Sequence, residues 1–333
     1  MRANRRQFLQ ATGNLAVAGS LPIIASRTRS SHAKEPQALL PIVDTHQHLW
    51  DLNRFRPPWL KDAPPILSRS YVTKDYLAAT AKVNVTQAVY MEIDVAPQQQ
   101  VQEAKHVIDL SRSKDHPTTA AVISGRPNSP EFAAYIKQFK DVPEVKGVRQ
   151  VLHVDSAPRG LCLEPTYVQS IQLLGKLGKS FDLCMRPTEL SDGKKLASQC
   201  PDTRFIIDHC GNADPKAFLG DNQGPEEPWH QVDQWKRDMD GLASLSNTIC
   251  KISGIVARAP KGWSAEHLAP IIDFCLLQFG PERVVFGGDW PVCLLGAPYA
   301  NWVSALKEVI SQRSEKEQRQ LLHDNAVRLY GLG

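Results

Sequence analysis

Ile42-Val43-Asp44-Thr45-His46-Gln47-His48-Leu49-Trp50 is a β-branched run that ends in two histidines spaced two residues apart. Side chains alternate along an extended strand, so positions 46 and 48 point the same way. Similar apolar runs recur down the chain. With the first strand read as Ile42–Thr45, the others are Gln87–Met91, Thr119–Ser124, Gly147–Leu152, Phe181–Met185, Arg204–Ile207, Thr248–Ile252 and Val284–Gly287. Apolar spacing near 3.6 residues predicts helices between them, over Lys74–Val83, Gln98–Ser113, Glu131–Lys140, Tyr167–Lys179 and His267–Phe279. Eight strand–helix repeats in about 300 residues is the count of a (β/α)8 barrel of the TIM type. A doubly wound open sheet would need a Gly-rich turn after an early strand to bind a nucleotide, and no G-x-G-x-x-G or P-loop pattern is present. The expected fold is therefore a single barrel over residues 41–330. It ends in an amphipathic helix over Glu315–Tyr330 that docks through Leu321, Leu322, Ala326 and Leu329.

Two long loops follow strands 1 and 6. Leu52–Ser68 carries Pro57, Pro58, Pro64, Pro65 and Trp59, and Asp214–Pro228 carries Pro215, Gly220, Gly224 and Pro225. Such loops lie at the catalytic face of a barrel, which makes both candidate walls of a site.

Of 333 residues, 42% are hydrophobic and 22% charged, which excludes wholesale disorder. The net charge of +4 belongs to the leader. Residues 1–33 hold Arg2, Arg5, Arg6, Arg27 and Arg29 and no acid; removing those five from 39 basic residues leaves 34 against 35 acidic. That balance argues against a nucleic-acid-binding surface. Arg5-Arg6-Gln7-Phe8-Leu9 precedes a mildly apolar run from Leu15 to Ala25, too short to span a bilayer. It resembles a twin-arginine export signal with a small-x-small cleavage site after Ala33. The implied partner is the twin-arginine translocation machinery, and the implied location is periplasmic or extracellular. Such export carries folded proteins, which suits a metal loaded beforehand. No later apolar run reaches about 18 residues, so no membrane span is expected. Seven scattered cysteines without a C-x-x-C pair read as buried thiols rather than a disulfide framework.

The chemistry centres on three strand ends. Beside His46 and His48, the strand Arg204–Ile207 leads into Asp208-His209, and the last strand leads into Gly288-Asp289-Trp290-Pro291. In a closed barrel strand 8 neighbours strand 1, so Asp289 reaches an ion held by His46 and His48, with His209 approaching from the opposite wall. Three nitrogens and one carboxylate suit Zn²⁺, with Mn²⁺, Co²⁺ and Fe²⁺ as alternatives. An open position on such an ion lowers the pKa of water from about 15.7 to about 7, and Asp289 would orient that water and carry its proton.

These segments (D-T-H-x-H-L-W, I-D-H-x-G and F-G-x-D-W-P-V) resemble the amidohydrolase superfamily, in its amidohydrolase-related branch of sugar and dicarboxylate lactonases. The resemblance implies a distorted (β/α)8 barrel that hydrolyses carbon–oxygen or carbon–nitrogen bonds. It assigns His46, His48 and His209 as ligands and Asp289 as ligand or general base. Strand 4 reads Val145-Lys146-Gly147-Val148-Arg149-Gln150 and lacks the context of a carboxylated lysine, which argues for one metal rather than two. Some members of this branch act without metal, so the resemblance leaves metal dependence open.

Softer candidates lie nearby. Arg149 and Arg186 end strands 4 and 5 and either clamp a substrate carboxylate, polarise a carbonyl, or bridge loop acids. His153 is a candidate hydrogen-bond partner of the substrate. Glu92 is either a further ligand or proton donor, or a loop cap. Trp290, beside Asp289, is the best-placed aromatic wall, ahead of Trp50 and Trp59. The leading functional expectation is metal-dependent opening of a small cyclic ester. A nonoxidative decarboxylase of the same superfamily and a non-catalytic carbohydrate- or lactone-binding barrel are the alternatives.

Overall fold

The apolar runs form strands because a parallel barrel buries both faces of each strand, one toward the interior and one against helices. The computed structural model describes residues 39–220 and 227–333. Its strands are β1 (Ile42–Gln47), β2 (Val85–Met91), β3 (Thr118–Ser124), β4 (Val145–Val151), β5 (Ser180–Cys184), β6 (Phe205–Ile207), β7 (Thr248–Ile252) and β8 (Val284–Phe286). They pair in parallel in sequence order, as the barrel reading required. Each boundary falls within two residues of the expected one. The expected helices lie at Thr73–Thr80, Gln100–Arg112, Phe132–Lys137, Pro165–Lys176 and Ala265–Phe279, and others at Leu190–Gln199, Val232–Ala243 and Tyr299–Val309 complete the outer ring.

β8 is three residues long, and the seam with β1 is made just beyond it. Asp289 N–H donates to His46 O at 2.8 Å and His48 N–H donates to Trp290 O at 2.7 Å. Thr45 Oγ1 donates to Phe286 O at 2.7 Å. Asp44, wholly buried, accepts from the backbone N–H of Gly288 (2.7 Å) and His46 (3.0 Å), and from the hydroxyls of Tyr76 (2.8 Å) and Tyr299 (3.0 Å).

The end opposite the histidines is floored by the chain's last residues. The expected single helix is a composite: Glu315–Arg319 is α, Gln320–Asp324 is a π turn, and Asn325–Tyr330 is α again. Leu321, Leu322 and Ala326 are buried, while Leu329 is only partly so. Val43, Val89, Val122, Ile206, Ile249 and Val285 form the inner core together with Ala326, Tyr330 and Leu332. Lys146, at the start of β4, donates to Gly331 O at 3.0 Å on this floor, so its amine faces away from the histidines.

All seven cysteines are free and buried. Among the described residues no helix is long and apolar enough to cross a membrane. The expected leader, residues 1–33, and the stretch 221–226 of the second loop lie outside the described residues.

Asp44→Ala would leave four buried donors without an acceptor. It is expected to lower the free energy of unfolding by about 3–5 kcal/mol. Asp44→Asn keeps one oxygen for the two backbone donors and should recover more than half of that loss, as measured by urea denaturation.

Candidate active site

The seam delivers Asp289 to the two histidines of β1. His46 Nε2 and His48 Nε2 lie 3.2 Å apart, and Asp289 Oδ1 is 3.6 Å from the first and 3.5 Å from the second. His209, just past β6, places its ring 4.5 Å from that of His46. Each imidazole is held from behind. His48 Nδ1 lies 3.1 Å from Met91 O, an acceptor, so Nδ1 carries the proton and Nε2 presents a lone pair to the site. His209 Nδ1 meets Ser253 Oγ at 3.0 Å, leaving Nε2 toward the centre. His46 Nδ1 faces Asp208 Oδ1 at 3.5 Å and Lys251 Nζ at 3.4 Å.

His209 and Asp289 both adopt left-handed backbone conformations, with φ of 55° and 53°. That costs a non-glycine residue on the order of 1–3 kcal/mol and re-aims each side chain from its strand end into the barrel mouth. Gly254, with φ of 69°, is needed for a different reason: a Cβ there would sit 2.2 Å from His209 Nδ1.

The donor set fits one divalent ion. Tetrahedral bonds of about 2.0–2.1 Å separate ligand atoms by roughly 3.3–3.4 Å, close to the three distances above. Ligand atoms of His46, His209 and Asp289 all lie within 4.8 Å of one another. Burial pulls the pKa of His46 and His209 below the usual histidine range, which keeps both rings neutral and basic toward a cation. Burial alone would raise the Asp289 carboxyl, but the neighbouring His209, His48 and His46 outweigh it and hold it at about 2.

Beneath the histidines lies a buried ionic network that the sequence did not disclose. Lys251 of β7 pairs with Asp182 (2.6 Å) and Asp208 (2.9 Å), all three wholly buried. Although desolvation opposes it, these two carboxylates hold Lys251 protonated well above the usual lysine range.

Several soft candidates move to supporting positions. Arg149 lines the cavity, but Nε donates to Glu92 Oε1 at 2.7 Å and Nη2 donates to Glu92 O at 3.1 Å, so its charge is already matched. Glu92 is fully buried and also accepts from Asp94 N–H at 2.6 Å; it anchors Arg149 and does not reach the histidine cluster. Arg186 ties loops together through Glu189 (2.6 Å) and the carbonyls of Val154 and Ala157, away from the cavity. Trp290 is corrected as a wall. Its ring is 1% exposed and packs edge-on to Tyr71 and Tyr76, because the backbone bonds of the seam turn the side chain inward.

The cavity above the cluster has a volume of about 390 Å³. His48, His209, Asp289 and Asn212 form its floor, and Trp50, Trp59, Val292 and Leu295 contribute apolar walls. Trp59 comes from the Pro-rich loop, fixed by a 2.8 Å hydrogen bond to Ile93 O and by edge contact with Trp50. His153 lines the same space as expected, with its pKa pushed down to about 3 by burial and then by Arg258. Arg258 itself lines the cavity, in a turn whose sequence, Ile255-Val256-Ala257-Arg258, carries no signal of a site.

A (β/α)8 barrel with three histidines and an aspartate gathered at the carboxyl ends of its strands is the architecture of a metal-dependent class of hydrolases. Residues 43–332 match the family model described as Amidohydrolase, and the chain belongs to that family and is a hydrolase of lactonase-like type. It is 25% identical over 297 residues to an L-fucono-1,5-lactonase of Burkholderia multivorans, covering 87% of this chain and 96% of that one. A crystal structure of an amidohydrolase from Burkholderia multivorans with bound zinc superposes with a TM-score of 0.74 at 22% identity, covering 88% of this chain and 99% of that one. A 2,6-dihydroxybenzoate decarboxylase from Rhizobium superposes with a TM-score of 0.58 at 13% identity, again over 88% and 99%.

Gly254→Ala should displace His209 while leaving the fold intact. The expected outcome is a purified protein with far less bound Zn²⁺ than wild type by elemental analysis, at similar circular dichroism.

Acid should destabilise the protein through the buried histidines. A histidine whose folded pKa is depressed binds fewer protons than its unfolded counterpart, so stability is complete above about 6.5 and declines as pH falls. For His153 the decline runs from about 6.5 down to about 3, with a slope of at most about 1.4 kcal/mol per pH unit. Replacing His153 by Gln should flatten the dependence of unfolding free energy on pH in that window.

Proposed function

We propose that the chain opens a small cyclic ester, a lactone of the sugar or dicarboxylate class, with one divalent metal ion held by His46, His48, His209 and Asp289. The observation that carries this reading is the convergence of two presented Nε2 atoms and the Asp289 carboxylate, 3.2–3.6 Å apart, at the floor of an aromatic-walled cavity. The lactonase relative supports the substrate class, and the zinc-bound neighbour supports Zn²⁺ as the ion. When bound, the ion supplies Lewis-acid polarisation of the lactone carbonyl and lowers the pKa of a water molecule.

The protein's own groups do the rest. Asp289, ionised at neutral pH, accepts a hydrogen bond from the attacking water and takes its proton as the new carbon–oxygen bond forms. The ring carbon–oxygen bond then breaks, the proton passes to the departing alkoxide, and the product is a hydroxy acid. Neutral His153 hydrogen-bonds the lactone from the side of the cavity, and Trp50 and Trp59 exclude water around the ring. Asp208 and Lys251 hold His46 in place from beneath. Export through the twin-arginine machinery and a periplasmic or extracellular location are part of the same proposal, resting on the leader sequence alone.

Decarboxylation of an aromatic acid is the second reading, favoured by the shared fold of the Rhizobium decarboxylase. The test is acid release from a panel of aldono- and muconolactones by the chain purified with Zn²⁺ or Mn²⁺. Wild-type turnover should fall on the order of 10²–10⁴-fold in Asp289→Asn and disappear on chelation, returning with added metal. Silence on every lactone together with CO₂ release from a dihydroxybenzoate would transfer the assignment to the decarboxylase. Activity unchanged in Asp289→Asn would overturn the assigned role of that residue.

A further inference from the structure

Arg258 differs from the other arginines at the mouth of the barrel. Arg149 and Arg186 each hold a carboxylate at 2.6–2.7 Å. The Arg258 guanidinium makes no ion pair or hydrogen bond with any other described residue, and it lies over the face of Trp229, 3.9 Å from Cζ to the ring centroid. It lines the same cavity as His48, His209 and Asp289. Burial draws its pKa below the usual arginine range, and Asp214, Cys184 and Asp289 offset that only in part. A guanidinium partly removed from water and without an ion-pair partner among the described residues carries a cost, which is offset when a ligand brings an anion. Stacking on Trp229 fixes the plane and leaves the N–H edge as the available recognition surface, the geometry that takes a carboxylate through two parallel hydrogen bonds.

We propose that Arg258 is the receptor for a carboxylate on the substrate, so that the chain acts on carboxylated lactones in preference to neutral sugar lactones. His48, His209, Asp289 and Arg258 line one cavity, so a ligand whose carboxylate rests on Arg258 can place its ester carbonyl over the histidines. His153, beside both Arg258 and Trp229, is neutral and adds no competing charge. As a statement about lactones the proposal rests on the hydrolase reading above; the anion site itself does not.

The test pairs binding with turnover. Benzene-1,3-dicarboxylate is titrated into wild type and Arg258→Gln by calorimetry, with benzene-1,3-dimethanol as the neutral control. The expected result is binding of the dicarboxylate to wild type, weakened on the order of 10–100-fold in the variant, with no such difference for the diol. Because the variant removes a half-buried charge that has no ion-pair partner among the described residues, its melting temperature should equal or exceed that of wild type, which separates loss of the site from loss of the fold. In turnover, the ratio of kcat/KM for carboxylated over neutral lactones should drop at least about tenfold in Arg258→Gln, chiefly through KM, with partial recovery in Arg258→Lys. Equal dicarboxylate binding by wild type and variant would overturn the proposal, as would a wild type that prefers neutral lactones. If no lactone is hydrolysed but the dicarboxylate binds in an Arg258-dependent way, the anion site stands and the hydrolase reading falls. Hydrolysis of neutral lactones without dicarboxylate binding would mean the reverse.

Discussion

The carboxylate of Asp44 joins the first strand to the last. Its four hydrogen bonds reach Gly288 and Tyr299, 244 and 255 positions further along the chain. Two residues on, the backbone carbonyl of His46 accepts from the N–H of Asp289. Closure of the barrel and assembly of the His46–His48–Asp289 cluster are therefore one structural event.

Charge is layered beneath that cluster. Two acids flank Lys251, and a further acid, Glu92, fixes Arg149. Buried ions of this kind contribute little net stability, but once present they are strongly held because removing one strands its partner. Their effect here is orientation. Asp208 faces His46 from one side and Lys251 from the other, so the ring cannot turn without breaking an interaction worth more in the barrel interior than at the surface. Of the two arginines that line the cavity, Arg149 is matched by Glu92 in this layer, whereas Arg258 has no ion-pair partner among the described residues.

The strands were legible because a doubly covered parallel strand must be a short β-branched run, and the two histidines of β1 were legible because alternation and position at a strand end agree. His209 and Asp289 were found by the same logic at β6 and β8. What alternation does not encode is the turn after a strand. Trp290 adjoins Asp289 in sequence yet is buried among tyrosines, and Arg258, in an ordinary apolar turn, enters the cavity. Lys251 does carry a sequence signal, a lone cation within the otherwise apolar strand Thr248–Ile252. Asp208 adjoins His209 in sequence, but its role is set by partners on β1, β4 and β7 that only the fold brings together. Arg149 and Arg186 sit at the expected strand ends, but occupancy by Glu92 and Glu189 is a property of the folded neighbourhood and not of the strand.

The floor built by Ala326, Tyr330 and Leu332 has a consequence for how the molecule is made. The inner core of the barrel lacks one of its walls until these residues are available, and the seam cannot form before β8. The earlier strand–helix units alone therefore form an open sheet whose apolar inner face is uncovered, and closing it waits on contacts of long sequence separation, which form slowly.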